Sequence, residues 1–197
     1  VVAALAGLGP DQRLQRRHAV EHDRLEVVRF GHERADRVDH IGIAGELAKC
    51  VELQRAGAVL DLKSGVQTQL VQKGRVGSRI WRADDASAAN GARFVVVEES
   101  LGAGNDIAVA ISISQSATAQ ARAYVAAQLP GVGRFVSFAL PSGPGQQSVV
   151  GGEHAAVLAE QVSNHLRALT AHDPDAVVHI FAACPNSFLF FLGQHHQ

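Results

Sequence analysis

The sequence predicts an α/β fold, a Rossmann-like and mostly parallel β-sheet with helices on both faces. Beyond residue 92, short runs of β-branched residues alternate with longer segments whose apolar positions recur every three or four residues. Stretches rich in Gly, Pro, Ser and Asn separate the two kinds of segment. The order strand, helix, strand, helix, strand, helix implies parallel strands joined by right-handed crossover connections.

Two strands open this pattern. The run RFVVVEE, residues 93–99, is rich in β-branched residues. The run DIAVAISIS, residues 106–114, is too continuously apolar for a strand at the edge of a sheet. The residues SLGAGN that connect them are typical of a turn. We therefore expect the second run to lie inside the sheet.

An alanine-rich helix and another strand come next. Ala117, Ala121 and Val125 are spaced for one side of a helix, which Pro130 stops. The run RFVSFAL, residues 134–140, has the pattern of a strand. The loop PSGPGQQSVVGG that follows is flexible by composition.

A long helix and a last strand continue the alternation. Leu158, Val162 and Leu166 line one face of the helix predicted for residues 153–170. The run AVVHIFAA, residues 176–183, is the strand.

The chain then turns from this strand into a last helix. NSFLFFLGQ, residues 186–194, begins the helix, and Asn186 or Ser187 is its predicted N-cap. Pro185 fixes its own φ and keeps Cys184 extended. The free N–H groups of the first helical turn are able to hold an anion.

Small polar residues follow each of the three predicted parallel strands. Ligands of such sheets lie beyond the carboxyl ends of the strands, where helix N-termini direct unpaired N–H groups outward. Residues 112–116, 141–147 and 184–187 meet there, and their glycines and uncharged donors suit a ligand that approaches the backbone closely. The predicted ligand-binding residues are Ser112, Ser114, Gln115, Ser142, Gly143, Pro185, Asn186 and Ser187.

The composition is that of a soluble globular protein, with 47% hydrophobic and 19% charged residues. The apolar start lacks the features of a targeting segment and nothing spans a bilayer, so we expect a cytoplasmic protein without a membrane partner. Cys50 and Cys184 form no CxxC pair, and we expect neither a metal nor a cofactor. The lack of methionine predicts that the sequence is part of a longer chain.

Charge is distributed unevenly along the chain. Up to Asp85 there are 14 Lys and Arg against 12 Asp and Glu, and beyond it 4 against 7. Four scattered arginines are too few for a surface that binds duplex DNA, although one or two are able to assist a ligand with a few phosphates. His18 and His22 are interpreted as part of a solvated helix near Glu26, because a third metal ligand is missing.

Three stretches of the second half together resemble the SAVED domain, the cyclic-oligonucleotide sensor of bacterial anti-phage (CBASS) effectors. They are DIAVAISISQSATAQARAYV, AVLAEQVSNHLRAL and VVHIFAACPNSFLFFLGQ. The last stretch is the closing signature, a strand with a His, then Ala-x-Pro and a helix that ends in Leu-Gly. Trp81 ahead of the strands is also similar. The resemblance covers about residues 80–194.

The resemblance implies a receptor of two fused CARF-like halves that binds a cyclic di-, tri- or tetranucleotide over the strand ends. Binding is then expected to drive a ligand-induced homo-oligomer and to switch on a fused or associated effector, without catalysis by the sensor. Residues 80–197 are the C-terminal half. Residues 1–79 are a poorly defined segment, either a degenerate or incomplete first half or a non-native one, with candidate strands at 40–45 and 56–62.

An enzyme is the alternative. Cys184 at a helix N-terminus is able to act as a nucleophile of an α/β hydrolase, with His154, His179 or His195 as its base. The competing interpretation of His179 is a satisfied core histidine, because its neighbours in the strand are apolar. A dinucleotide-binding dehydrogenase fits poorly, since neither GAGND nor GVGRF completes GxGxxG at a strand-to-helix turn.

Overall fold

The computed structural model describes residues 26–30, 54–60, 68–74, 77–85, 91–171, 173 and 175–195. The described strands are β1 (Glu26–Phe30), β2 (Leu70–Gly74), β3 (Gly77–Trp81), β4 (Val95–Ser100), β5 (Asp106–Ser112), β6 (Val132–Ala139) and β7 (Val178–Ala183). The described helices are α1 (residues 54–59), α2 (Thr118–Gln128), α3 (Gly152–Thr170) and α4 (Asn186–Gln194). No helix among these residues is long and apolar enough to cross a membrane.

The main sheet has five strands in the order β1-β7-β5-β6-β4. β5 pairs in parallel with β6 and with β7, so that Ile107 lies opposite Arg134 on one side and Val178 on the other. The prediction that this apolar run lies inside the sheet is confirmed, since a strand paired on both sides and covered on both faces has little place for polar side chains.

The sheet is mixed, and the predicted parallel arrangement holds for its three inner strands only. β1 runs antiparallel to β7 and β4 antiparallel to β6, so only the three inner strands are parallel. The reason for β4 is its short connection to β5: residues 101–105 reverse the chain, whereas a parallel crossover needs a dozen residues or more.

Helices cover both faces of the sheet, as predicted. Ile107, Val109 and Ile111 of β5 belong to the core with α3 and α4, and Ala108 and Ala110 belong to the core with α2. This alternation follows from the two-residue period of a strand. The larger core lies on the α3 and α4 face, and the three helices predicted beyond residue 116 begin and end within about two residues of their predicted bounds.

β2 and β3 form a separate antiparallel hairpin, which packs on the α3 and α4 face. Leu70 lies opposite Trp81, and both contact that core. At the end of the hairpin a Cβ on Gly152 would collide with the backbone of Arg82, so the hairpin lies tightly against the start of α3. The strands β1, β2 and β3 were not predicted from the sequence. Glu26 is the first residue of β1 and is not part of a solvated helix. His18 and His22 lie outside the described residues.

The strand predicted at 56–62 is wrong where the structure describes it, because residues 54–59 are helical. A Cβ at Gly57 would collide with the Phe190 carbonyl, and one at Gly193 with the Gln54 carbonyl. Gly57 and Gly193 have no side chain, which lets the backbones of α1 and α4 contact each other. The candidate strand at 40–45 lies outside the described residues.

Candidate functional site

The loops that follow β5, β6 and β7 are hydrogen-bonded to one another at the carboxyl edge of the parallel strands. The Ala183 carbonyl accepts from the N–H groups of Ile113 and Ser114, at 2.9 and 2.8 Å. The Ile113 carbonyl accepts from the N–H of Gly145 at 2.8 Å. We call residues 112–116, 141–147 and 184–187 together the carboxyl rim. The structure thus brings the three predicted segments to one place.

Ser112 ends β5 and is 2% exposed. Its Oγ accepts from the N–H of Ala117 at 2.9 Å and lies 3.5 Å from Oγ1 of Thr118. Ala117 is the N-cap of α2 and makes no side-chain cap hydrogen bond, so Ser112 holds the start of the helix through the N–H of Ala117. Ser112 therefore shapes the rim, while Ser114 is half-buried and Gln115 is exposed.

The second segment is a compact turn. Gly143 has a φ of 79°, a conformation that favours glycine, and its carbonyl accepts from Oγ of Ser148 at 3.1 Å. Its N–H donates to the Leu140 carbonyl at 2.9 Å. Ser142 is exposed beside it, so its hydroxyl faces outward from a turn that hydrogen bonds hold in shape.

The third segment corrects a prediction about the start of α4. Pro185, rather than Asn186 or Ser187, is the N-cap, and no side chain of the cap accepts a hydrogen bond. Asn186 is the first helical residue and is exposed. Proline supplies the extended φ and ψ that the N-cap needs. The helix therefore starts one residue earlier than a cap at Asn186 would allow and two earlier than a cap at Ser187, and Asn186 lies on its surface.

Ser187 is 5% exposed and bonded to a residue that the sequence did not indicate. Its Oγ donates to Oε1 of Gln72 at 2.8 Å, and its N–H donates to the same oxygen at 3.3 Å. Gln72 belongs to β2, 115 positions away in the sequence. No local pattern marks such a residue, because the contact exists only once the hairpin has docked on α4.

The predicted residues thus fall into two groups. Ser112 and Ser187 are buried and already hydrogen-bonded within the protein. The remaining residues are exposed or half-buried at the rim: Ser114, Gln115, Ser142, Gly143, Pro185 and Asn186.

The four arginines beyond Asp85 differ in their distance from the rim along the strands. Arg122 makes two hydrogen bonds to Glu99 at 2.5 Å and lies 5.2 Å from the ring centre of Phe135. These bonds hold the pKa of Glu99 below its ordinary value and raise the pKa of Arg122. Arg134 is the third residue of β6 and Arg167 lies in the last turn of α3, both on the amino side of the sheet.

Arg93 lies on the carboxyl side, because it precedes β4, whose first residue Val95 pairs with Ala139 at the end of β6. Its guanidinium donates to the Val157 carbonyl at 3.4 Å. Within the described residues of the second half, uncharged donors and backbone groups therefore dominate the rim.

The geometry does not support Cys184 as a nucleophile. His179 lies five residues earlier in the extended chain, about 16 Å away, and its Nε2 is 3.5 Å from Oδ2 of Asp106. His154 is held through both ring nitrogens, Nε2 2.8 Å from the Ala92 carbonyl and Nδ1 accepting from the N–H of Val150 at 3.3 Å. His195 stands at the far end of α4, about 13 Å along the helix.

The described part of the chain contains neither the arrangement of Cys184 with a histidine base that a hydrolase needs nor a metal site. No group of three or more His, Cys, Asp or Glu side chains there is placed to hold a metal ion.

The sequence matches the profile of a family, SAVED, described as the SMODS-associated and fused to various effectors sensor domain, over residues 23–197. It is 43% identical over 141 residues to CD-NTase-associated protein 4 of Enterobacter hormaechei subsp. hoffmannii (strain UCI 50). That match covers 71% of this chain and 28% of the relative, so the chain spans little more than a quarter of the relative's length.

A solved structure has a similar fold. It is the Cap4 SAVED/CARF-domain containing receptor of Acinetobacter baumannii with the cyclic trinucleotide 3'3'3'-cAAA. The two folds superpose with a TM-score of 0.56 over 75% of this chain and 32% of that chain, at 14% sequence identity. At this identity the similarity concerns the fold alone.

Proposed function

The chain belongs to the SAVED family of sensor domains, and on this basis we propose that it binds a cyclic oligonucleotide second messenger and activates a fused effector in bacterial anti-phage defence. The similar Acinetobacter receptor holds a cyclic trinucleotide, and the Enterobacter relative is a CD-NTase-associated protein. Both descriptions support a nucleotide ligand for this chain.

The main support for the proposal is that hydrogen bonds join the three loops at the carboxyl rim to one another. A cyclic di-, tri- or tetranucleotide carries two to four phosphates around a ring and needs donors from several directions. Backbone N–H groups and the exposed side chains of Gln115, Ser142 and Asn186 offer these donors. Ser114, Gly143 and Pro185 bring the backbone close to the ligand. Ser112 shapes the rim beneath it, and Ser187 lies in the rim with its donors on Gln72.

The charge of the second half supports a small ligand over duplex DNA. Duplex binding depends on the neutralisation of many phosphates at once. Arg122 is engaged by Glu99, and Arg134 and Arg167 lie on the amino side of the sheet. Arg93 is the arginine of this half that is placed to approach a phosphate at the rim.

The effector and the assembly are proposals on the scale of a longer protein. We assign the sensor role, without catalysis of its own, to this chain in the cytoplasm, and the response to a fused or associated effector that ligand-induced homo-oligomerisation switches on. Residues 80–197 then form the C-terminal CARF-like half. The hairpin of β2 and β3 crosses the boundary at residue 79, which argues that the preceding strand belongs to the same packed unit.

A thermal-shift panel of cyclic di-, tri- and tetranucleotides tests the proposed function. A ligand that binds the folded state raises the melting temperature, and the shift grows with ligand concentration. Linear forms of the same oligonucleotides are the matched control and are expected to shift the melting temperature less. A folded protein that responds to no cyclic member of the panel contradicts the proposal.

A further inference from the structure

The hairpin of β2 and β3 contacts one segment of the carboxyl rim and the start of the helix that follows another segment. Gln72 holds Ser187 in the first turn of α4, and the backbone of Arg82 lies against Gly152 at the start of α3. Leu70 and Trp81 anchor the other side of the hairpin in the core. The hairpin therefore lies beside the part of the rim that Ser187 forms.

The contact of Gln72 engages both donors of one buried residue. The hydroxyl and the N–H of Ser187 donate to the same side-chain oxygen, at 2.8 and 3.3 Å. Neither Pro185 nor Asn186 provides a side-chain acceptor for this turn. A ligand oxygen that takes the donors of Ser187 must first replace Oε1 of Gln72.

The outer face of the hairpin is exposed, whereas its inner face packs against the core. Val71 and Ile80, which lie directly opposite each other, are 66% and 57% exposed, whereas Trp81 is 8% exposed. Release of Gln72 from Ser187 would leave the hairpin attached through Leu70 and Trp81. A hairpin that is anchored in the core and also bonded to a rim residue is suited to report whether the rim is filled.

We propose that Gln72 is an autoinhibitory residue of the rim, which holds the donors of Ser187 in the ligand-free protein and gives them up to the ligand. The inference rests on the proposed function and names a regulation of the same site. Ligand binding then frees the β2 end of the hairpin, so that occupancy of the rim becomes a movement of an element outside the main sheet.

The test compares the ligand affinity of three variants of the full chain by titration with the cyclic oligonucleotide that gives the largest thermal shift. Gln72→Ala no longer competes for Ser187, and its affinity is expected to rise about three- to tenfold, the equivalent of one ordinary hydrogen bond. Gln72→Glu places a carboxylate on the same donors and is expected to lower the affinity at least as much. Val71→Thr, on the outer face, is the matched control and should leave the affinity unchanged.

Hydrogen exchange gives a second readout that a merely structural cap would not produce. Addition of ligand to the wild-type protein is expected to speed amide exchange in residues 70–74. In the Gln72→Ala variant, addition of ligand should leave the exchange rates of these residues unchanged. Where Gln72→Ala fails to fold, Gln72→Asn, which is one methylene shorter, takes its place.

The outcomes separate the two proposals. A wild-type protein that binds the ligand, with a Gln72→Ala variant of equal or weaker affinity, overturns the autoinhibitory role and leaves the proposed function standing. Slower exchange of residues 70–74 in the presence of ligand overturns it too. Failure of every variant, the wild type included, to bind any cyclic oligonucleotide overturns both proposals.

Discussion

At the scale of single residues, burial separates side chains that shape the rim from side chains that remain available to a ligand. Ser112 and Ser187 have the chemistry of ligand donors, yet each is at most 5% exposed and already bonded to another part of the chain. Asn186 is exposed and caps no helix. Residue type gave the same ligand-binding prediction for all three residues, and they differ in how they pack.

This difference leads to a prediction for Asn186→Ala. Stability should change by less than about 0.5 kcal/mol, because an exposed residue without a structural role is lost. Affinity for the cyclic oligonucleotide should fall about two- to tenfold, as expected for one hydrogen bond. Urea unfolding and ligand titration of the same sample measure the two quantities.

Asn164→Ala is the matched control for that experiment, since Asn164 is an exposed asparagine on α3. It should alter neither stability nor affinity. An Asn186→Ala variant that binds as tightly as the wild type would remove Asn186 from the proposed site.

At the scale of elements, α3 holds the chain segment that leads into β4. Oε1 of Gln161 accepts from the N–H of Phe94, and its Nε2 donates to the carbonyl of the same residue, both at 2.9 Å. About two turns earlier in α3, His154 bonds to the Ala92 carbonyl. An edge strand that pairs on one side only thus gains a second attachment from the helix above it.

Gln161→Leu should therefore destabilise the protein by about 1–3 kcal/mol, since it leaves both backbone groups of Phe94 without their partner at a residue that is largely buried. Equilibrium urea unfolding measures the loss. The exposed position Asn164 on the same helix again gives the control, because Asn164→Leu removes no such pair. Equal stability of the two leucine variants would show that the Gln161 bonds contribute nothing.

At the scale of the whole molecule, titration of His195 links stability to pH. Burial lowers the pKa of His195, Glu160 raises it and Arg167 lowers it, with burial the largest effect. The ordinary pKa of histidine is about 6.5, so between that value and the lowered one the unfolded chain binds more protons than the folded protein. The contribution of His195 is complete above about pH 6.5 and is lost as the pH falls through the lowered pKa.

His195→Asn should accordingly flatten the dependence of the unfolding free energy on pH in the range below about pH 6.5. Above this range the wild type and the variant should keep a constant difference in stability. Urea unfolding at a series of pH values measures both slopes. An unchanged slope in the variant would assign the acid sensitivity to other groups.

The whole molecule also shows how the early part of the chain joins the later part. α1 contacts α4 where Gly57 and Gly193 leave room for backbone approach, and Gln194 donates to the Leu60 carbonyl at 2.7 Å. The hairpin adds Leu70 and Trp81 to the core of α3 and α4. Residues that lie before the predicted C-terminal half therefore complete its hydrophobic core.

The sequence by itself determined the helices and strands from residue 93 onward, the central place of β5, the two covered faces and the meeting of three loops at one edge. These features follow from periodicity and turn chemistry, which neighbouring residues carry. Family membership agrees with the resemblance of the same stretches.

Only the tertiary structure decided the antiparallel place of β1 beside β7, the contact of the helix at residues 54–59 with α4, and the bond between Gln72 and Ser187. The physical reason is the range of the interactions. β1 pairs with β7, and Gln72 bonds to Ser187, through contacts between residues more than a hundred positions apart. The local sequence pattern does not specify which distant strand or side chain will be in reach.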